Sequence, residues 1–121
     1  MSYNRTILVI DDDLDFQFMV CSMLKMSGYR VKSLIEGKID AAIALAKNCD
    51  MILLDIQLPG VSGVEIGKNL RSSSETLDIP ILLLSGGSEA DQLFRESKAN
   101  DLLKKPFSLS LLMIKIRAAL A

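Results

Sequence analysis

Histidine is absent from this chain of 121 residues. With it go His-ligated zinc, Ser-His triads and any phosphohistidine on the chain itself. Cysteine is scarce. Cys21 and Cys49 lie far apart without a CxxC partner, so both read as small buried hydrophobes of a cytosolic protein. No apolar run approaches the roughly 20 residues that span a bilayer, and the start Met1-Ser2-Tyr3-Asn4-Arg5 lacks the apolar stretch of a secretion signal. The expectation is a cytoplasmic protein that does not enter a membrane. A net charge of −1, with basic residues scattered along the chain, offers no basic stripe and argues against direct nucleic-acid binding. Whatever chemistry exists falls to carboxylates, hydroxyls and lysines.

What the chain does have is apolar bulk. Half of its residues are hydrophobic, enough for one core at a length typical of one domain, so residues 1–121 read as a single unit. Three short runs are continuously apolar and β-prone: Ile7 to Ile10, Met51 to Leu54 and Ile81 to Leu84. That is the pattern of central parallel strands buried on both faces. Tyr29 to Leu34 is more polar and reads as an edge strand, and Asp101 to Lys104 as a last short strand before Pro106. Phe16, Met19, Val20, Met23 and Leu24 follow helical spacing, closed by Ser27-Gly28. Ile39, Ala42, Ile43 and Ala46 repeat it, as do Leu109, Leu112, Met113, Ile116 and Leu120 behind a Ser108 cap. Val64, Ile66 and Leu70 predict a third helix, followed by a serine-rich loop from Arg71 to Glu75. Ala90, Leu93 and Phe94 predict a fourth helix, with Ser88 as N-cap and Asp91 completing an approximate capping box. Five strands alternating with five helices imply parallel pairing, which puts every strand's carboxyl end on one edge of the sheet, where ligands bind.

Each apolar strand runs into a reactive group at that edge: Asp11-Asp12-Asp13, Asp55, Ser85 and Lys104-Lys105. Any one of these alone is an ordinary turn or solvated side chain; their convergence is what carries meaning. Crowded carboxylates either hold a proton or hold a cation. With oxygen donors only, Mg²⁺ fits best, because it binds one or two carboxylates and leaves room for phosphate oxygens. An EF-hand is excluded, since the Asp11 to Asp15 run lacks the Gly and Glu that such a loop requires. Asp55, ending a buried strand before Ile56-Gln57-Leu58-Pro59-Gly60, is placed to act as a nucleophile and form an aspartyl phosphate. Ser85 and Lys105 would then offer a hydroxyl and an ammonium to phosphoryl oxygens, while Asp13 falls outside the cluster.

Four stretches carry a resemblance that covers nearly the whole chain: Ile7 to Asp13, MILLDIQLPGVSG over 51–63, IPILLLSG over 79–86 and DLLKKPF over 101–107. In this order and at these spacings the sequence resembles the receiver domain of two-component response regulators. The resemblance implies a flavodoxin-like, doubly wound five-stranded parallel sheet of order 2-1-3-4-5 in a three-layer α/β/α arrangement, the strand order of a chemotaxis member of this family. It implies that Asp55 takes a phosphoryl group from a phosphohistidine on a histidine kinase or histidine phosphotransfer protein, shifting the domain between inactive and active conformations that control an output domain or target. It also implies that Asp11, Asp12, Asp55 and the backbone carbonyl of Gln57 hold Mg²⁺, for which Mn²⁺ can substitute. A cis Lys105-Pro106 bond and a phosphorylation-dependent dimer are further implications. Two departures stand out: Leu102 occupies the place of a common switch Tyr or Phe, and Ser85-Gly86-Gly87 replaces the usual Thr with Ser.

On this reading the domain is a regulatory phosphoacceptor rather than an enzyme. The main rival is an Mg²⁺-dependent phosphohydrolase with an aspartate nucleophile. Such enzymes commonly place a second aspartate two residues on, where this chain has Gln57. A flavin- or nucleotide-binding module on the same fold lacks a GxGxxG or P-loop sequence.

Overall fold

A computed structural model describes residues 5–121; residues 1–4 of the expected unit 1–121 lie outside the described residues. The order is β1 (Thr6–Ile10), α1 (Leu14–Met26), β2 (Arg30–Leu34), α2 (Ile39–Ala46), β3 (Met51–Asp55), α3 (Gly63–Ser72), β4 (Ile81–Ser85), α4 (Ala90–Ser97), β5 (Asp101–Lys104) and α5 (Leu109–Leu120). All five strands pair in parallel in the order β2-β1-β3-β4-β5. The predicted flavodoxin-like α/β architecture is therefore the observed one.

The central strands read as continuous apolar runs because both of their faces are covered. Alternate residues of a strand point to opposite faces. Ile7 and Val9 of β1, with Leu53, Leu84 and Leu103, pack against Val20 and Leu24 of α1 and Leu112 and Ile116 of α5. Leu8 and Ile10, with Ile52, Leu54 and Leu83, pack against Ala42 and Ala46 of α2 and Ile66 and Leu70 of α3, with Leu93 and Phe94 of α4 at the margin. Two helices on one face and three on the other make the three layers.

Three local expectations need correction. The first is in α1, where the buried residues are Gln17, Val20 and Leu24, whereas Met19 is 43% exposed. The core-facing stripe thus runs through a glutamine that an apolar template passes over. The second is the start of α4. Glu89, not Ser88, is the N-cap and makes no side-chain cap bond; the helix is entered through a turn in which Ala90 N–H reaches Gly87 O at 3.4 Å. The third is the serine-rich loop, which begins after Ser72, because Arg71 and Ser72 still belong to α3. By contrast, Ser108 caps α5 as expected, accepting from Leu111 N–H.

Candidate phosphoacceptor site

β1 delivers its last apolar residue, Ile10, into the core and leaves Asp11 at the sheet edge, where its N–H donates to Leu34 O at 3.0 Å. Asp13 is consumed locally. Its Oδ1 accepts from Asp15 and Phe16 N–H at 3.0 and 3.2 Å and so caps α1, which keeps it out of the cluster as the sequence suggested. Asp11 is almost wholly buried. Its Oδ1 accepts from Asp13 N–H at 2.9 Å, while Oδ2 has no hydrogen-bond partner among the described residues. A buried carboxylate oxygen without a partner is costly unless something positive meets it.

Asp55 ends β3, pairing in register with Leu84 of β4, which places Ser85 one residue further along the neighbouring strand. Gly63 keeps the following loop close to this strand end, its N–H donating to Ile56 O at 2.8 Å. A Cβ on Gly63 would come within 2.3 Å of the Asp55 carbonyl oxygen, so only glycine permits this approach. Oxygens of Asp11, Asp12 and Asp55 all lie within 4.8 Å of one another, two from buried residues and one, that of Asp12, from an exposed one.

Lys105 arrives from the end of β5. Its N–H donates to Ser85 O at 2.8 Å, and the Lys105-Pro106 bond is cis, as the resemblance implied. Its Nζ sits 3.2 Å from Asp55 Oδ1 and 3.6 Å from Asp11 Oδ2. The same ammonium lies 5.4 Å from the centre of the Phe16 ring, which Phe107 meets edge-on at 6.1 Å. These rings give the lysine an apolar wall and a weak cation–π contact. Ser85 is buried, and its Oγ accepts from Gly87 N–H at 3.4 Å.

One ammonium does not balance this much negative charge. Burial, and next the charge of Asp11, push the Asp55 carboxyl up to about 6 from an ordinary 3.8, against the opposing pull of Lys105. Burial likewise raises Asp11, although the Asp13 N–H and Lys105 work against it. Burial and like charge thus penalise the ionised forms of both carboxyls, a penalty that a cation between them would relieve. The donors are all oxygen, and one of them is a buried carboxylate atom that makes no hydrogen bond among the described residues, a set that suits a hard divalent ion.

Of the six residues singled out in the sequence, Asp11, Asp12, Asp55 and Lys105 meet at this edge. Ser85 flanks them through its backbone bond to Lys105. Gln57 is exposed and, with Asp12, lines an open hollow of about 700 Å³ bordered by Glu65, Lys68, Leu93 and Glu96. Sequence reasoning missed Gln17, whose amide reaches the Asp11 carbonyl, and the role of Phe16 beneath Lys105. A polar residue at the buried phase of α1's helical period was the available signal for the former. Cys49 is buried as expected, whereas Cys21 is only half-buried; burial pushes both thiols up.

Residues 7–117 match the family model described as "Response regulator receiver domain". The chain is 35% identical over 118 residues to the phosphate regulon transcriptional regulatory protein PhoB of Pseudomonas aeruginosa, an alignment covering 96% of this chain and 52% of that protein. The chain therefore spans about half the length of such a curated relative. Chemotaxis response regulator CheY4 of Vibrio cholerae superposes with a TM-score of 0.85 at 28% identity, covering 95% of this chain and 98% of that one. The receiver domain of sensor histidine kinase PA1611 from Pseudomonas aeruginosa, solved with a magnesium ion coordinated in its active site cleft, gives 0.81 at 29% identity, covering 96% and 97%. Fold, edge geometry and sequence agree that this chain belongs to the response regulator receiver domain family.

Proposed function

We propose that Asp55 is the phosphoacceptor of this receiver domain, taking a phosphoryl group from a phosphohistidine on a histidine kinase or histidine phosphotransfer protein. The observation that carries the reading is the meeting of a buried strand-end carboxylate with two further aspartates and with Lys105 Nζ at 3.2 Å. In the transfer an Asp55 oxygen forms the new O–P bond as the N–P bond of the donor breaks. The electron pair stays on the departing imidazole nitrogen.

Asp11, Asp12, Asp55 and the Gln57 backbone carbonyl would hold Mg²⁺, or Mn²⁺ in its place; the buried Asp11 Oδ2, which among the described residues makes no hydrogen bond and meets only Lys105 Nζ at 3.6 Å, supports this. A bound divalent ion would offset negative charge on the transferring phosphoryl oxygens. Lys105, already paired with Asp55, supplies an ammonium to one of those oxygens, and Ser85 Oγ, which accepts from Gly87 N–H, can donate its own proton to another. Gly86 lies against the Lys105 stem, since a Cβ there would sit 3.5 Å from Lys105 Cβ. Movement of Lys105 or Ser85 on phosphorylation is thereby passed to the Gly86-Gly87 loop and on to α4, β5 and α5.

Leu102 is half-buried among the residues flanking the α2-α3-α4 core, so the usual inward-turning aromatic has no counterpart here. Residues 1–121 act as one regulatory unit in the cytoplasm, directing an output domain or separate target, with phosphorylation promoting a dimer. Among the described residues no helix is long and apolar enough to cross a membrane. The phosphohydrolase alternative finds no support in the family match. Asp55→Asn is expected to abolish labelling by acetyl phosphate in Mg²⁺. Labelling of the variant at full stoichiometry would assign the nucleophile elsewhere.

A further inference from the structure

We infer that Gln17 is a positioning residue for the cation-binding edge, its side-chain amide holding the Asp11 backbone so that Asp11 Oδ2 stays within the carboxylate cluster. This rests on the proposed reading of the cluster as a cation site. Gln17 projects from the first turn of α1 and is only 6% exposed. Its Nε2 donates to Val9 O at 3.0 Å, Asp11 O at 3.0 Å and Leu34 O at 3.1 Å. An amide nitrogen has two N–H bonds, so three carbonyls share them and at least one bond is forked. Three acceptors around one terminal atom also fix it as nitrogen. The other atom, Oε1, meets a donor, the Cys21 thiol, at 3.3 Å.

The bonds close a ring. Leu34 O accepts from both Asp11 N–H and Gln17 Nε2, and Gln17 Nε2 in turn reaches Asp11 O. Both backbone polar atoms of Asp11 are held, and Asp13 N–H holds Oδ1. Among the described residues only Oδ2 remains without a hydrogen bond, 3.6 Å from Lys105 Nζ. Gln17 thus couples the ends of β1 and β2 to α1, whose own start is fixed by the Asp13 cap. An apolar side chain of similar size would fill the space but leave the Asp11 carbonyl without this donor and free the peptide to turn.

Gln17→Met tests this against Leu24→Ala, a control on the same helix that removes fully buried apolar volume two turns away from the edge. Mn²⁺ affinity is read by the electron paramagnetic resonance of the free ion, at a temperature where circular dichroism shows each protein folded. Gln17→Met is expected to weaken Mn²⁺ binding about 10-fold, the lower end of what losing an outer hydrogen bond costs a metal site, with Leu24→Ala close to wild type. A wild-type Kd in Gln17→Met, or equal weakening in Leu24→Ala, would overturn the role of Gln17. A wild-type protein that binds no Mn²⁺ would overturn the cluster reading instead. Should Gln17→Met not fold, the wild type still decides: the Gln17 side-chain amide signals are expected to shift with the Asp11 amide, at one shared midpoint, as Mg²⁺ is titrated. Side-chain signals that stay still while the Asp11 amide moves would overturn the inference.

Discussion

Replacing Asp55 by asparagine should stabilise the cation-free protein at neutral pH. Asp55 is 6% exposed, and its carboxyl is pushed from 3.8 to about 6, first by burial and then by Asp11. The folded protein therefore holds this proton more tightly than the unfolded chain does. The stability linked to it is fully present below pH 3.8, drains away as the pH rises towards about 6 and is gone at pH 7. A difference of roughly 2 pH units at about 1.4 kcal/mol each comes to about 3 kcal/mol. The side-chain amide of Asp55→Asn cannot ionise, so the variant escapes this loss. For a chain of this size the gap amounts to roughly 10 °C in Tm at pH 7. Thermal and urea melts of both proteins in EDTA, from pH 4.5 to 7.5, should show the variant's advantage opening between pH 4.5 and 7. Added Mg²⁺ should narrow it, because the wild type gains more from the ion. A gap independent of pH, or a variant less stable than wild type at pH 7 in EDTA, would refute the dominance of burial and like charge at Asp55.

Other expectations follow from the neighbouring elements. Gln57→Met should change the rate at which phosphorylated protein loses its phosphate, if the exposed side-chain amide two residues past Asp55 orients the attacking water; equal autodephosphorylation rates would count against it. Treatment with beryllofluoride and Mg²⁺ should alter amide hydrogen exchange in the Gly86-Gly87 loop and across α4, β5 and α5. Unchanged exchange there would remove the proposed relay. Gly67→Ala should cost about 1–3 kcal/mol in urea melts, because the new Cβ would lie 2.5 Å from Ser97 O, where α3 packs against α4. A variant as stable as wild type would show that the two helices can separate freely.

Much of the fold was legible because its strongest signals are local. Ile7 to Ile10, Met51 to Leu54 and Ile81 to Leu84 are apolar on both faces because helices cover both sides of the sheet. Once those strands are known to be parallel, Asp11, Asp55, Ser85 and Lys105 must share an edge, and this is how the site could be read without coordinates. Ser108 was legible as a cap because a short polar side chain precedes the helical stripe of α5, whereas the Asp13 cap of α1 came only from the structure.

What escaped depends on contacts between segments distant in sequence. Gln17 looks like an interruption in an apolar stripe until Val9, Asp11 and Leu34 are seen to present their carbonyls to it. Arg71 looks like part of a loop, yet it belongs to α3 and donates to Leu77 O, Ile79 O and Lys98 O, pairing also with Asn100, so that it ties the approach to β4 to the approach to β5. Ser88 looks like a cap, but the turn made by Gly87 and Ala90 begins the helix one residue later than expected. Phe16 satisfied the helical template and was counted as core, although its ring also flanks the Lys105 ammonium.

The central claim is that Asp55 carries the phosphoryl group. Its most direct test is peptide mass mapping of wild-type protein after reaction with acetyl phosphate in Mg²⁺. The expected result is the mass of one phosphoryl group on the peptide containing Asp55, and its loss when EDTA replaces the metal; modification mapped to any other residue, or labelling indifferent to EDTA, would contradict it.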